Sequence, residues 1–275
     1  MKISFVILTW NSEAYIEKCI CSLLAISALD IKIYVADNGS EDRTVPIMLA
    51  LCAKPGGNRI ELIRLDRNEG VTKPRNMALR RVMESSGPQD YVCVLDSDTE
   101  FNESALRTLI HYLEDDPRIG VVGPRMYGVD GEIQQSARNI PTLLEKFFKV
   151  VPFRRGQQLG NRMQGVDCAT ITEVTSVGYL QSACWLMRAS VLKRVGLFDE
   201  RFYYAPEDVE FCIRVWKHGL RVVYCPQAGI IHHWQRLSRK KLLSKHNLEH
   251  IKGLFYMYRK HGFAFSDKKI RRCMF

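Results

Sequence analysis

The 275-residue chain lacks any CxxC pair and any uninterrupted run of about 18 apolar residues, and it carries neither G-x-G-x-x-G nor G-x-x-x-x-G-K-S/T. Each absence closes a route. Without ordered cysteine spacing, a zinc ribbon or a disulfide framework is not expected. The nine cysteines, an odd number, sit mostly in apolar runs such as Val92-Cys93-Val94 and Ala183-Cys184-Trp185, where a reduced thiol acts as a small hydrophobe. A reducing, cytoplasmic compartment follows as the expectation. The missing apolar run argues against a transmembrane helix. The opening stretch 1–9 is too short for a signal peptide, and Asn11 and Ser12 end it without a small-residue cleavage pattern, so it reads as a buried first strand. The missing glycine loops exclude the usual dinucleotide and triphosphate cradles. There is also no internal repeat and no Pro/Gly/Ser-rich linker.

The charged fraction of 25% and the hydrophobic fraction of 46% belong to an ordinary globular protein large enough to bury a core. The net charge of +10 is unevenly placed: twelve Lys/Arg from Arg236 onward stand against only Glu249 and Asp267, so the preceding 235 residues are neutral. Apolar and aromatic residues interleave with these charges, a pattern that suits an anionic membrane surface. Nucleic acid is the disfavoured rival, and a solvated helical face is the plain alternative. The organisation expected is a domain over 1–235 and a basic amphipathic extension over 236–275.

Short β-rich runs at 3–9, 32–36, 59–64 and 91–95 alternate with helical patterns at 12–25, 42–53 and 72–85, with Ser12 and Ser40 as candidate caps. Strand–helix–strand repetition specifies an α/β fold with a single, mostly parallel sheet flanked by helices, and ligands then bind at the carboxyl ends of the strands. Beyond residue 100 the pattern is less regular. A hairpin is expected at 129–132, extended chain at 176–187, 221–224 and 229–232, and a helix at 207–218, while 137–175 carries no assignment.

Two strands end in acids. The run Tyr91 to Leu95 delivers Asp96-Ser97-Asp98, whose alternating geometry projects both carboxylates from one face, where they could hold a divalent cation or simply form a polar strand end. Strand 32–36 delivers Asp37, which could accept from a base or ribose, with Gly39 and Ser40 as a tight turn and cap. After the third strand, Gly70 permits close backbone approach, and Lys73 with Arg75 could neutralise phosphate or merely open a solvated helix. Glu207, Asp208 and Glu210 stand at a helix start, where acids are favoured by the dipole alone, and Glu210 with Arg214 reads as a surface i,i+4 pair.

Taken in order, 6–11, Asp37-Asn38-Gly39-Ser40, Asn68-x-Gly70 with Asn76, Asp96-Ser97-Asp98, 196–200, 207–210 and His232 resemble the family 2 glycosyltransferases of GT-A fold, and within them the rhamnosyltransferase-like subgroup. The resemblance spans about residues 3–232. It implies donor contacts from Thr9, Asn11, Asp37, Asn68, Gly70, Arg75 and Asp96. It also implies an Asp96, Asp98 and His232 shell around Mg²⁺ or Mn²⁺, with His233 as the lesser candidate, and Asp208 as catalytic base. Glu210 stands where the family often has Asp. The stretch 137–195 is expected to shape the acceptor pocket through Arg138, Gly178, Gln181 and Trp185, joined by Glu207.

The implied activity is inverting transfer of a sugar, rhamnose by resemblance, from a nucleoside-diphosphate donor to a hydroxyl of a glycan or polyprenyl-diphosphate-linked acceptor, in cell-surface polysaccharide synthesis. A cation is needed because several carboxylates gathered around a diphosphate repel by several kcal/mol in a partly dry cleft. One base suffices, because a metal-bound diphosphate leaves without an acid. The rivals are a non-catalytic nucleotide-sugar-binding module, which should have lost a metal or base position, and a sugar nucleotidyltransferase, which should carry a Gly-rich N-terminal loop.

Overall fold

A computed structural model describes residues 1–87, 90–150, 165–233 and 245–274. The first half follows the alternation of its sequence. Strands β1 (Lys2–Thr9), β2 (Asp30–Asp37), β3 (Ile60–Arg64) and β4 (Tyr91–Asp96) pair in parallel. Helices α1 (Ile16–Leu24), α2 (Thr44–Ala53) and α3 (Thr72–Ser85) make the crossovers. The register sets Thr9 opposite Asp37 and Leu8 opposite Asp96, so the acid-bearing strand ends finish level with one another.

Period-2 alternation divides these strands between two cores. Ile3, Phe5 and Ile7 of β1 and Cys93 and Leu95 of β4 pack with α1, α2 and α4 (Glu103–Asp115), while Val6, Val92 and Val94 join the opposite core with α3. A sheet covered on both faces explains why its strands read as continuous apolar runs.

Beyond β4 the sheet turns mixed. β10 (Cys184–Arg188) runs antiparallel between β4 and β6 (Ile119–Tyr127), and β11 (Arg221–His232) runs parallel to β6 and antiparallel to β5 (Thr99–Glu100). The order is β3-β2-β1-β4-β10-β6-β11-β5, with β8 (Thr175–Ser176) beside β11. β7 (Ala137–Arg138) and β9 (Tyr179–Leu180) form a separate ribbon. Stretches 221–224 and 229–232 form one strand interrupted by a shift in register between Cys225 and Gly229, where Pro226 has no N–H to give the ladder. The turn at 129–132 is present, closed by the Gly128 amide on the Glu132 carbonyl (2.8 Å).

Neither candidate cap performs that task. α1 begins at Ile16, and the Ser12 hydroxyl instead meets that of Ser97 at 2.9 Å; α2 begins at Thr44, whose amide is capped by Asp42 at 2.9 Å. Ser40 is drawn away by Asp37.

The C-terminal stretch packs on the body of the protein. α5 (Leu143–Val150), α6 (Ala189–Val195) and α7 (Glu207–Lys217) are joined by α8 (Lys245–His261) and the short α9 (Lys268–Arg271). Leu254, Met257 and Tyr258 of α8 enter the core shared with Phe202 and Phe211, each worth about 2 kcal/mol when fully buried. Among the described residues, no helix is long and apolar enough to cross a membrane. All nine cysteines are free.

Candidate active site

One side of the site is built by the ends of β1, β2 and β3. The Asp37 carboxylate accepts from the Ser40 hydroxyl (2.6 Å) and amide (3.1 Å). Ser40 Oγ in turn accepts from the Asn11 amide, and Asn11 Oδ1 accepts from the Glu41 amide, each at 2.9 Å. Asn11 is held at φ 48°, a left-handed conformation that asparagine tolerates. Around these groups lies an open cavity of about 650 Å³ lined by Trp10, Asn11, Asp37, Gly39, Ser40 and residues 64–68. Gly39 is required where the turn meets the next loop, since a Cβ there would stand 2.5 Å from Arg67 Cα. Thr9 is buried beside Asp37, and its hydroxyl finds no hydrogen-bond partner among the described residues.

Asn68 and Gly70 form the second wall. Asn38 Nδ2 donates to Asn68 Oδ1 (3.1 Å) and to the Gly70 carbonyl (2.8 Å). Gly70 has φ 83°, and a Cβ on it would lie 2.3 Å from the Tyr203 carbonyl. The next residue, Val71, donates its amide to that same carbonyl at 2.8 Å, and the Thr72 hydroxyl donates to Phe202 O at 2.7 Å. The loop at 68–72 is thereby fastened to the loop that leads into α7. Asn76 belongs to the same fastening: it exchanges bonds with the Phe198 backbone and reaches Glu200.

At the end of β4, Asp96, Asp98 and His232 each offer a ligand atom, and these atoms lie within 4.8 Å of one another. The donor set fits a divalent cation. Gln134 orients the histidine: its Nε2 donates to the His232 carbonyl at 2.8 Å, so its Oε1 faces His232 Nδ1 at 2.7 Å and can only accept. Nδ1 therefore carries the hydrogen, which leaves Nε2 to face Asp98 at 3.4 Å, the arrangement of a ligating histidine held by an outer partner. Burial would make this imidazole less basic, but the hydrogen bond and charge of Asp98, with that of Asp96, raise its pKa. The pull on a proton marks a field that a cation would satisfy. His233 takes no part in this cluster, for Glu100 holds its Nε2 at 2.6 Å.

Arg75 connects this cluster to α7. Almost wholly buried, it donates to Asp96 (2.7 Å), to Glu207 (3.0 Å) and to Ser182 Oγ (2.9 Å). It therefore arranges the site's carboxylates; Lys73 turns outward to pair with Glu69 at 3.1 Å. Burial raises the Asp96 carboxyl, against the opposing charge of Arg75. Glu207 is pushed up to about 7 by burial and by the neighbouring Asp208.

Asp208 is partly exposed, and its carboxylate accepts from the Val209 amide at 2.7 Å. Burial raises its pKa, opposed by that amide and by the charges of Arg138, Arg75 and Lys146. A carboxylate made more basic than usual, in touch with solvent at a helix start, is suited to accept a proton. Asp96 and Asp208 also both bear on Tyr204, whose pKa is raised by burial and by these carboxylates together with Glu207. The acids from the two halves of the chain thus share one region.

Three expectations need correction. Trp185 cannot line an acceptor pocket, because it is 0% exposed and packs in the core against Phe198 and Phe211, which also touch each other. Gly178 serves packing: a Cβ there would lie 2.4 Å from the Ile140 amide, and its carbonyl accepts from Trp216 Nε1. Glu210 with Arg214 is not a surface pair. Glu210 is 0% exposed and meets Arg214 (3.0 Å), Lys260 (2.6 Å) and His261 (3.2 Å). Gln181 remains half-buried near the ribbon, its amide on the Ser136 carbonyl. Gln134 and Ser182 went unnoticed, since a lone polar residue in a stretch without periodicity carries no signal of what it will touch.

Comparison with known proteins agrees with this geometry. Residues 4–196 match the pattern described as glycosyl transferase family 2. N-acetylglucosaminyl-diphospho-decaprenol L-rhamnosyltransferase of Mycobacterium tuberculosis is 28% identical over 238 residues, which cover 83% of this chain and 75% of that one. Staphylococcus aureus TarS 1–349, crystallised with UDP-GlcNAc, superposes with a TM-score of 0.62 at 19% identity over 100% of this chain and 70% of its own, and another structure of that fragment is matched over 60% of its length. GalNAc-T7 crystallised with UDP, GalNAc and Mn²⁺ gives 0.65 at 15% identity over 94% of this chain and 48% of its own, so the chain spans less than half of that protein. These solved structures speak for the fold.

Proposed function

Because the chain belongs to glycosyl transferase family 2, we propose that it is a metal-dependent, inverting enzyme that passes a sugar, L-rhamnose as the first choice, from a nucleoside-diphosphate carrier to a glycan hydroxyl on a polyprenyl-diphosphate lipid. One observation carries the reading: Asp96, Asp98 and His232 converge beside the Asp37 cavity, and Arg75 ties Asp96 to the helix start that bears Asp208. The relative from Mycobacterium tuberculosis, named for L-rhamnosyl transfer to a diphospho-decaprenol acceptor, supports the donor sugar and the acceptor class.

In this reading Asn11 and Asp37 receive the nucleoside in the cavity, and Asn68 and Gly70 close its wall. Asp96, Asp98 and His232 would hold Mg²⁺ or Mn²⁺, which supplies positive charge to the diphosphate as it binds and departs. Asp208 faces the acceptor. A carboxylate cannot ionise an alcohol in advance, so Asp208 takes the hydroxyl proton as the acceptor oxygen bonds to C1. The bond from C1 to the diphosphate oxygen breaks on the opposite face, and the anomeric configuration inverts. Arg75 and Glu207 keep Asp96 and Asp208 in relative position. We assign 1–235 to the transferase domain and 236–275 to the extension, with a cytoplasmic location at the membrane surface where a lipid-linked acceptor is met.

Asp208→Asn tests the base. The amide matches the carboxylate in shape but takes no proton, so turnover should fall by about 10²- to 10⁴-fold while Mn²⁺-dependent binding of UDP or dTDP sugars, read by calorimetry, stays unchanged. Turnover within threefold or so of the parent would remove Asp208 from the reaction.

A further inference from the structure

Helix α8 has two apolar sides. Gly253, Leu254, Met257, Tyr258 and His261 face the protein. Leu248, Ile251 and Phe255, spaced by three and four residues, form a second stripe that faces solvent and leaves Phe255 61% exposed. Lys252 and Arg259 stand exposed on this outer side, and the chain beyond the helix exposes Phe265 at 72%, followed by Lys268, Lys269, Arg271 and Arg272. The two acids of the segment are neutralised locally: Glu249 by Lys252 at 2.8 Å and Asp267 by Arg271 at 2.8 Å. A solvated face needs no such stripe, since charged residues on the outer side and apolar ones on the inner side would suffice.

We propose that the outer side of α8, continued by Phe265 and the basic residues 268–272, is a docking surface for an anionic lipid bilayer, with Leu248, Ile251 and Phe255 entering the interface and the lysines and arginines meeting the headgroups. The charge of the segment favours this occupant: its exposed ionic groups are all basic, and anionic lipid is a counterpart they would attract as a surface. The surface lies close to the chemistry. A Cβ on Gly253 would come within 2.6 Å of the Ala205 carbonyl, so α8 touches the loop that leads into Asp208. A neighbouring element also presents apolar groups: the Leu143 amide donates to Ala264 O at 2.8 Å, and α5 exposes Leu144 and Phe147. The inference rests on the peripheral placement proposed above and supplies its contact residues.

Flotation of the full chain with phosphatidylcholine vesicles, with and without phosphatidylglycerol, tests it. The parent protein should float with the anionic vesicles at least about tenfold more than with the neutral ones, and less as salt rises. The combined change Leu248→Ser, Ile251→Ser and Phe255→Ser should lower that binding at least about tenfold, while its melting temperature and its acceptor-independent hydrolysis of nucleotide sugar remain those of the parent. Arg259→Glu with Lys268→Glu should weaken binding mainly at low salt. Failure of the parent to float, or undiminished flotation of the triple variant, overturns the proposal. So does a parent dimer in sedimentation that the triple variant converts to monomer with vesicle binding unchanged, which would give the stripe to a second copy. Loss of nucleotide-sugar hydrolysis in the parent itself would strike the enzymatic reading and leave the lipid contact standing.

Discussion

Arg75 shows how much of the site depends on one side chain. Its guanidinium stands between Asp96 and Glu207, and its removal would leave the buried Glu207 carboxyl beside the Ser182 hydroxyl but without its charged partner. Breaking a buried pair from one side costs about 3–5 kcal/mol, far more than any surface pair. Arg75→Ala should therefore lower the unfolding free energy in urea by that amount and also reduce turnover; a cost below about 1 kcal/mol would mean that the three partners are satisfied without it. Gln134 acts on the metal site in a similar indirect way. Gln134→Leu should weaken Mn²⁺ affinity by about 10- to 100-fold in a fluorescence titration, because His232 loses the partner that fixes its tautomer. Unchanged affinity would assign the orientation of His232 to its backbone alone. At this scale the sequence was legible where a residue ends a strand: Asp37 and Asp96 were found from the apolar runs before them. It was illegible where chemistry depends on a partner distant in the chain. Arg75 read as a cation for phosphate, Trp185 as a pocket wall, and Gln134 carried no signal.

The pairing of α7 with α8 depends on Glu210 and Gly253. Lys217 Nζ lies 2.8 Å from His261 Nδ1 and can only donate, so the imidazole hydrogen is on Nε2 and points at Glu210. Burial would raise the Glu210 carboxyl, but His261, Arg214 and Lys260 outweigh it and hold the pKa at about 2, below the ordinary 4.5. A carboxyl depressed on folding stabilises the protein above its unfolded pKa. That stability is lost as pH falls from 4.5 toward 2, and the shift corresponds to roughly 3 kcal/mol. Glu210→Gln should thus be destabilised relative to the parent at pH 7, with the gap closing as pH drops through that window; a gap independent of pH would mean that packing is the cause. Gly253→Ala separates helix propensity from fit. Alanine favours an isolated helix by about 1 kcal/mol, but here its methyl would press on Ala205 O and on Pro206 Cδ at 2.9 Å. Overpacking of this kind costs about 1–3 kcal/mol, so the melting temperature should fall. Turnover should fall with it, since the displaced loop bears Asp208. Sequence alone marked α8 as basic and amphipathic, yet gave no means to tell the inward apolar stripe from the outward one.

Across the whole molecule, legibility falls off beyond residue 100, where even the long α4 and β6 carried no expectation. β1 to β4 and their helices are long enough for periods of 2 and 3.6 to register, and their order and direction matched expectation. β5, β7, β8 and β9 have two residues each, too few for any period; β5 and β8 flank β11 in the mixed half of the sheet, and β7 and β9 make the separate ribbon. The mixed half nevertheless completes the site: β11 brings His232 to the end of β4, and the start of α7, which bears Asp208, meets Arg75 through Glu207, so residues from both halves of the sequence converge. Such an arrangement predicts that the cation holds the reaction together and not the fold. Each carboxylate or imidazole in the shell already has a protein partner, with Arg75 on Asp96, Asp98 on His232 and Gln134 on His232, and the two cores lie elsewhere. Removal of metal by a chelator should therefore abolish turnover and leave the far-ultraviolet circular dichroism and melting temperature of the donor-free protein nearly unchanged. Added Mn²⁺ with a nucleotide sugar at about 100 times its dissociation constant should stabilise the folded state by about 2.7 kcal/mol, a rise of several degrees, and neither component alone should match it. If the chelator unfolds the donor-free protein, the ion is structural, and the partners seen around Asp96, Asp98 and His232 do not suffice to hold them together.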